Sequence, residues 1–171
     1  MVGLGLLLWL LPAPAGATCL GLAQQAERLF GVPSPILQAI VLTESGDNPF
    51  ALNVAGASVF PKTAAEARRI IQHSRETGAN VDIGCGQISL TYHREFFGKS
   101  PEMALDPWIN VVYMAREVLS GFKREGSWAK AVAVYHSGSP ERQRQYLCKV
   151  AGHVLNLTNR HALLGTCGKA K

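Results

Sequence analysis

Residues 37–53 read LQAIVLTESGDNPFALN, and the rest of the chain is interpreted around them. Ile36, Leu37, Ile40 and Val41 recur at i, i+1, i+4 and i+5, the spacing that puts them on one face of a helix. Ser34 is a suitable N-cap, and Pro35 suits a first turn, where an amide N–H has no helical partner anyway. Gly46 is the expected stop, because glycine enters the left-handed conformation without steric cost. Glu44 then falls in the last turn of a largely buried helix. A helix C-terminus carries partial negative charge, so a carboxylate is disfavoured there, and apolar neighbours add a desolvation cost of the same sign. Both raise a carboxyl pKa toward the range where it can act as an acid near neutral pH. Spacing alone is equally compatible with Glu44 as a solvated residue at a helix end.

Outward from this stretch, residues 20–30 form an amphipathic pattern with Leu22, Ala26 and Leu29 or Phe30 inward and Gly31 as stop. Residues 47–61 read as loop or short hairpin, punctuated by Asn48-Pro49 and Gly56. Thr63-Ala64-Ala65-Glu66 is a capping box that opens a helix to about Arg75, with Arg68, Arg69 and Arg75 on its solvated side. Residues 80–90 are a short Gly-rich loop in which Gly84 and Gly86 bracket Cys85. Residues 89–97 read as a short helix closed by Gly98. Asp106-Pro107 starts a longer helix to about Phe122, with Ile109, Val112, Tyr113, Val118 and Leu119 inward. Ser127 caps 128–136, and Ser139-Pro140 opens a final helix to about Leu157. The expected class is mainly α, a single domain that is all helix or helix with one small β-hairpin.

A chain of 171 residues is one domain, long enough to bury a sizeable core. The net charge of +5 and a pI near 9.2 point to an acidic partner. No basic run is interleaved with aromatics, which argues against nucleic acid. Residues 1–17 are apolar, lack charged side chains and end in Ala15-Gly16-Ala17, as a cleavable export signal does. Pro12, Pro14 and the short apolar length argue against a membrane span. The expected division is a signal at 1–17, a domain at 18–158 and a tail at 159–171, with the protein exported and periplasmic. Four cysteines, Cys19, Cys85, Cys148 and Cys167, follow the signal, and an exported chain with an even count favours disulfides. Three pairings are open. No Cys-x-x-Cys or His-x-x-x-His spacing suggests zinc.

TESGDNPFALN resembles the glutamate motif of the lytic transglycosylases (SLT domain) with a goose-type-lysozyme-like fold. Glu44, Ser45, Asn48, Pro49, Ala51 and Asn53 match its pattern. Two further blocks follow in the family's order: GCGQIS at 84–89 resembles Gly-Leu-Met-Gln-Ile-Asn, and AVAVYHSG at 131–138 resembles Ala-x-x-Ala-Tyr-Asn-x-Gly. The resemblance covers roughly residues 20–150. It implies a lysozyme-like domain with a cleft, acting on peptidoglycan glycan strands without a cofactor or metal. In such an enzyme Glu44 protonates the bond between N-acetylmuramic acid and N-acetylglucosamine, then takes the proton of the C6 hydroxyl as that oxygen closes a 1,6-anhydro ring. Ser45, Gln87, Tyr135 and His136 are the implied substrate-binding and ordering residues.

The chain departs from the family pattern at Cys85-Gly86, where Leu-Met is usual, and at His136, where Asn is usual. The first departure leaves the loop barer than the wall it is expected to form. Three rival expectations follow: a scaffold that binds peptidoglycan with weak or no catalysis, a muramidase in which water attacks, and a cysteine peptidase built on Cys85 and His136. Asp47 and Asp82 are the candidates for a second carboxylate, with a turn and a loop role as their alternatives. The insert at 60–80, followed by VDIGCGQIS, looks like the specialised enzymes of conjugation and type IV secretion or pilus systems. That likeness implies secretion or conjugation proteins as further partners.

Overall fold

The computed structural model describes residues 18–159 and 163–165. The expected signal at 1–17 and most of the tail lie outside them. Helix α1 is Cys19–Phe30, α2 Ile36–Glu44, α3 Ala64–Thr77, α4 Arg94–Phe97, α5 Pro107–Glu125, α6 Trp128–His136 and α7 Pro140–Thr158. Strands β1 (Leu52–Val54), β2 (Ala57–Val59), β3 (Val81–Ile83) and β4 (Ile88–Ser89) make one antiparallel sheet in the order β2-β1-β3-β4. The mainly α expectation holds, and the single hairpin becomes half of a four-stranded sheet. Within the helical body, α2 packs against both α1 and α7, while α5 packs against α1 and α6.

Helix α2 is buried at Ile36, Leu37, Ala39, Ile40 and Val41, which is more than one face. A helix that is apolar nearly all round belongs inside a core. Burying each of its large aliphatic side chains stabilises the fold by roughly 1.5–3 kcal/mol. Its start is not capped by Ser34, whose hydroxyl instead accepts from the Gln38 side chain. Glu27, 2% exposed, takes that role from α1: Oε1 accepts from the Leu37 N–H at 2.8 Å and the Gln38 N–H at 3.1 Å. A carboxylate reaching from another helix meets the positive end of the α2 dipole better than a local hydroxyl can.

Three of the other helices end where glycine permits. Gly31, Gly78 and Gly126 adopt left-handed φ values of 69°, 72° and 68° after α1, α3 and α5. The Thr63 hydroxyl accepts from the Glu66 N–H, and Glu66 accepts from the Lys62 N–H, so the capping box forms with its return bond shifted by one residue. The helix expected over 89–97 shrinks to α4. Ser89 pairs with Asp82, and the Leu90 N–H donates to the Val81 carbonyl, so sheet pairing takes the backbone groups a helix there would need. Leu29 faces outward, leaving Leu22, Ala23 and Ala26 as the buried face of α1.

Candidate active site

Glu44 is the last residue of α2. Beyond it Gly46 and Asp47 turn the chain with φ of 60° and 71°. The Asp47 carboxylate accepts from the Leu20 N–H at 2.8 Å, which pins this turn to the start of α1 and settles Asp47 as a turn residue. The fixed turn aims Glu44 across the fold at α7. There the Tyr146 hydroxyl donates to Glu44 Oε1 at 2.6 Å. The carboxyl is surrounded by protein on most sides, and one edge opens on a cleft. Burial pushes it up from 4.5 to about 7. The Tyr146 hydrogen bond opposes the rise, negative Asp82 adds to it, and Lys149 subtracts. Near neutral pH this is an acid with a proton to give and the capacity to take one back.

Facing Glu44 is the loop between β3 and β4. Cys85 is fully buried and bonded to Cys19 at the start of α1. That pairing removes the free thiol a cysteine peptidase would need, so the reading based on Cys85 and His136 is wrong. Cys148 is also disulfide-bonded. Ser45 is buried and donates to the Cys85 carbonyl at 3.0 Å and the Val41 carbonyl at 3.2 Å. It braces the loop against α2 from behind and does not reach into the cleft as a substrate ligand.

Gly86 is held from two sides. Its N–H donates to the Asn110 side chain at 2.8 Å, and its carbonyl accepts from the Tyr135 hydroxyl at 2.6 Å. A Cβ on Gly86 would sit 3.0 Å from both Met114 Sδ and Tyr135 Oη. The space that a larger residue would fill is therefore occupied by Met114 and Tyr135, and the bare-looking loop still forms a packed wall. Asn110 is fully buried, and its amide also donates to the Ile83 and Ala104 carbonyls at 2.8 Å each. Gln87, at φ 49°, donates to the carbonyls of Ala51 and Gly84 at 3.0 Å each. These bonds commit its nitrogen to the loop and leave its amide oxygen without a partner among the described residues.

The sheet supplies the opposite wall. The register pairs Ser58 with Asn53, Asn53 with Asp82, and Asp82 with Ser89. Directly paired residues point to the same face, so these four polar side chains make one row across all four strands. All four line the cleft, which encloses about 680 Å³ between the sheet, the end of α2 and the last turn of α6. Asp82 is thus a wall residue of the site rather than a remote loop residue. Burial raises its carboxyl, while hydrogen bonds from Ser89 and Asn80 and the nearness of His136 and His93 pull it down. Tyr92, 85% exposed, stands at the rim, and His93 shares a 2.9 Å hydrogen bond with Tyr113.

His136 lies flat on Tyr146, ring centroids 4.4 Å apart and planes 4° from parallel. Partial burial lowers its pKa, and the Lys149 and Arg142 charges lower it further, so the ring is neutral at neutral pH. The structure brings Glu44, Gln87, Tyr135 and His136 to one cleft and puts Ser45 behind it. Sequence reasoning missed Tyr146 and Asn110. Neither has a local signal, because each is defined by partners far along the chain.

No match was found among curated proteins, and none among solved structures. A family model described as the transglycosylase SLT domain matches residues 21–149, a span that contains Glu44, the Cys85 loop and all of α6. That match covers most of the chain, and with it the chain belongs to the transglycosylase SLT family of lytic transglycosylases, enzymes that cleave glycosidic bonds in peptidoglycan.

Proposed function

We propose that Glu44 is the acid and base of this lytic transglycosylase, and that the bond cut is the β-1,4 link between N-acetylmuramic acid and N-acetylglucosamine. The observation that carries the reading is a carboxyl raised to about 7, hydrogen-bonded to Tyr146 and open to the cleft. Protonated Glu44 gives its proton to the glycosidic oxygen as the bond to C1 breaks. The substrate's own 2-acetamido oxygen supports the cationic C1. The C6 hydroxyl then attacks C1 and returns its proton to Glu44, so the carboxyl ends as it began and no water is consumed. Raised pKa and dual duty agree, since a group near its pKa both donates and accepts readily. Gln87 and the row from Ser58 to Ser89 offer hydrogen bonds to sugar hydroxyls, and Tyr135 holds the loop that carries Gln87.

The chain is further read as an exported, periplasmic enzyme that opens the wall locally for a secretion or conjugation apparatus. Supporting this are the signal-like residues 1–17, the Cys19–Cys85 disulfide and the insert that forms α3. No helix among the described residues is long and apolar enough to cross a membrane.

Mass spectrometry of soluble products from purified sacculi tests the chemistry, with the chain from Thr18 run beside Glu44→Gln. Anhydro-muropeptides from the wild type alone are expected. Reducing-end products would make water the nucleophile, and equal release by Glu44→Gln would remove Glu44 from its role.

A further inference from the structure

Beyond Glu44 the cleft continues into a smaller pocket of about 130 Å³. Its walls include Thr43, Glu44, His136, Arg142, Tyr146 and Lys149. Arg142, Tyr146 and Lys149 fall at i, i+4 and i+7 on α7, so they share a helix face. Tyr146 is the residue bonded to Glu44, which ties this face to the reacting centre. Arg142 and Lys149 are exposed, and among the described residues neither side chain makes an ion pair or a hydrogen bond. Arg142 lines both the main cleft and the smaller pocket. Two uncommitted cations thus converge on a hollow next to the acid, and among the described residues no carboxylate is bonded to either.

The substrate supplies the missing sign. The muramyl sugar carries a lactyl ether that ends in a carboxylate, or in a peptide with carboxylates of its own. Glu44 acts on C1 of that same sugar, so the anionic arm stays within a sugar's breadth of the acid. We propose that Arg142 and Lys149 form a carboxylate-binding pocket that takes the anionic arm of the muramyl residue whose bond is cut. The inference rests on the assignment of Glu44 made above. It gives the site a way to tell the muramyl sugar from its neutral neighbour, since N-acetylglucosamine has no charge to offer. A guanidinium can grip a carboxylate through two parallel hydrogen bonds, and an ammonium on the same face adds a second contact.

The test measures binding without catalysis. Glu44→Gln protein is titrated with soluble glycan strands of two kinds, one peptide-bearing and one stripped of peptide. Each is used before and after its carboxylates are converted to neutral amides, with amines blocked beforehand by acetylation. Charged strands are expected to bind about tenfold more tightly than amidated ones. Adding Arg142→Gln and Lys149→Gln erases that difference, whereas Arg142→Lys with Lys149→Arg restores part of it. A preference confined to peptide-bearing strands assigns the anion to the peptide, and one seen also with stripped strands assigns it to the lactyl group. Equal affinity for charged and amidated strands overturns the proposal, as does a preference that survives loss of both cations. These outcomes do not depend on turnover, so a failure of Glu44 in the product assay remains a separate result.

Discussion

The Tyr146 hydroxyl and the Glu44 carboxyl meet at 2.6 Å across 102 residues of chain. The hydrogen bond favours the ionised carboxyl, while burial and Asp82 favour the protonated one. The balance makes the reaction's pH dependence adjustable from both sides. Activity that needs protonated Glu44 falls as pH rises through about 7. Tyr146→Phe removes a contact that lowers the pKa, so the alkaline limb moves to higher pH while the maximal rate drops roughly tenfold. Asp82→Asn removes a repelling charge, so the limb moves to lower pH. Profiles of anhydro-product release for the three proteins check this, and limbs shifting in the same direction would contradict it.

Glu44 also links stability to pH. Its folded-state pKa is raised, so the fold binds this proton more tightly than the unfolded chain does. The stabilisation is fully present below about 4.5 and is lost as pH rises to about 7. Glu44→Gln has no such loss. At pH 8 it is expected to exceed the wild type by about 2 kcal/mol, or roughly 5 °C in Tm, discounted because one edge of the carboxyl is open. Near pH 4 the advantage disappears. Melting curves at the two pH values decide it, and a gain that is equal at both would show that the carboxyl is not strained by its surroundings.

His136 is neutral near pH 7 and gains its charge only below its usual 6.5. In its charged form it faces Glu44 and Asp82 within one cleft and changes the field at both. His136→Asn is therefore expected to delete an acid-side inflection below pH 6.5 from kcat/KM, with a rate change of only about threefold at pH 7. An inflection that persists in the variant would assign it to another group.

Asn110 satisfies three backbone groups with one buried side chain. Asn110→Ala leaves the Gly86 N–H and two carbonyls short of partners. The expected cost is about 3 kcal/mol, since each buried orphan costs roughly 1–3 kcal/mol and some regain water. Chemical denaturation measures it. A loss below 0.5 kcal/mol would mean that the loop re-forms around a water.

The Cys19–Cys85 bond closes a 66-residue separation. Chain entropy alone makes such a cross-link worth about 4 kcal/mol. Cys19→Ala with Cys85→Ala is expected to lower stability by that order and to reduce turnover, because the Cys85 carbonyl that holds Ser45 loses its anchor. Denaturation midpoints of the double variant against the wild type check the first part. A variant as stable as the parent would show that packing around residue 85 suffices.

Much of this was legible from short-range patterns. Helices α1, α3, α5 and α6 follow from local chemistry, a cap residue or a terminal glycine at each, and the helix ending at Glu44 follows from an apolar run meeting Gly46. The sheet was less legible. Its strands have two or three residues each, too short for alternation to register, and 88–89 borrow their structure from pairing with 82–83. Asp82 reads as a loop residue until that register aligns it with Asn53 and Ser89. Glu27 as the cap of α2 and Tyr146 as the partner of Glu44 are tertiary facts, in which a side chain of one helix meets another helix 10 and 102 residues away along the chain.

The Cys19–Cys85 bond makes the front of the chain a covalent ring that contains Glu44 and the hairpin, while Tyr135 and Tyr146 lie outside it. A single backbone cut anywhere between residues 20 and 84 therefore opens the ring without releasing a fragment. The exposed turn at Ala55-Gly56 is the natural place for such an opening. New chain ends could be made there with the acid still held to the rest of the chain through Cys19.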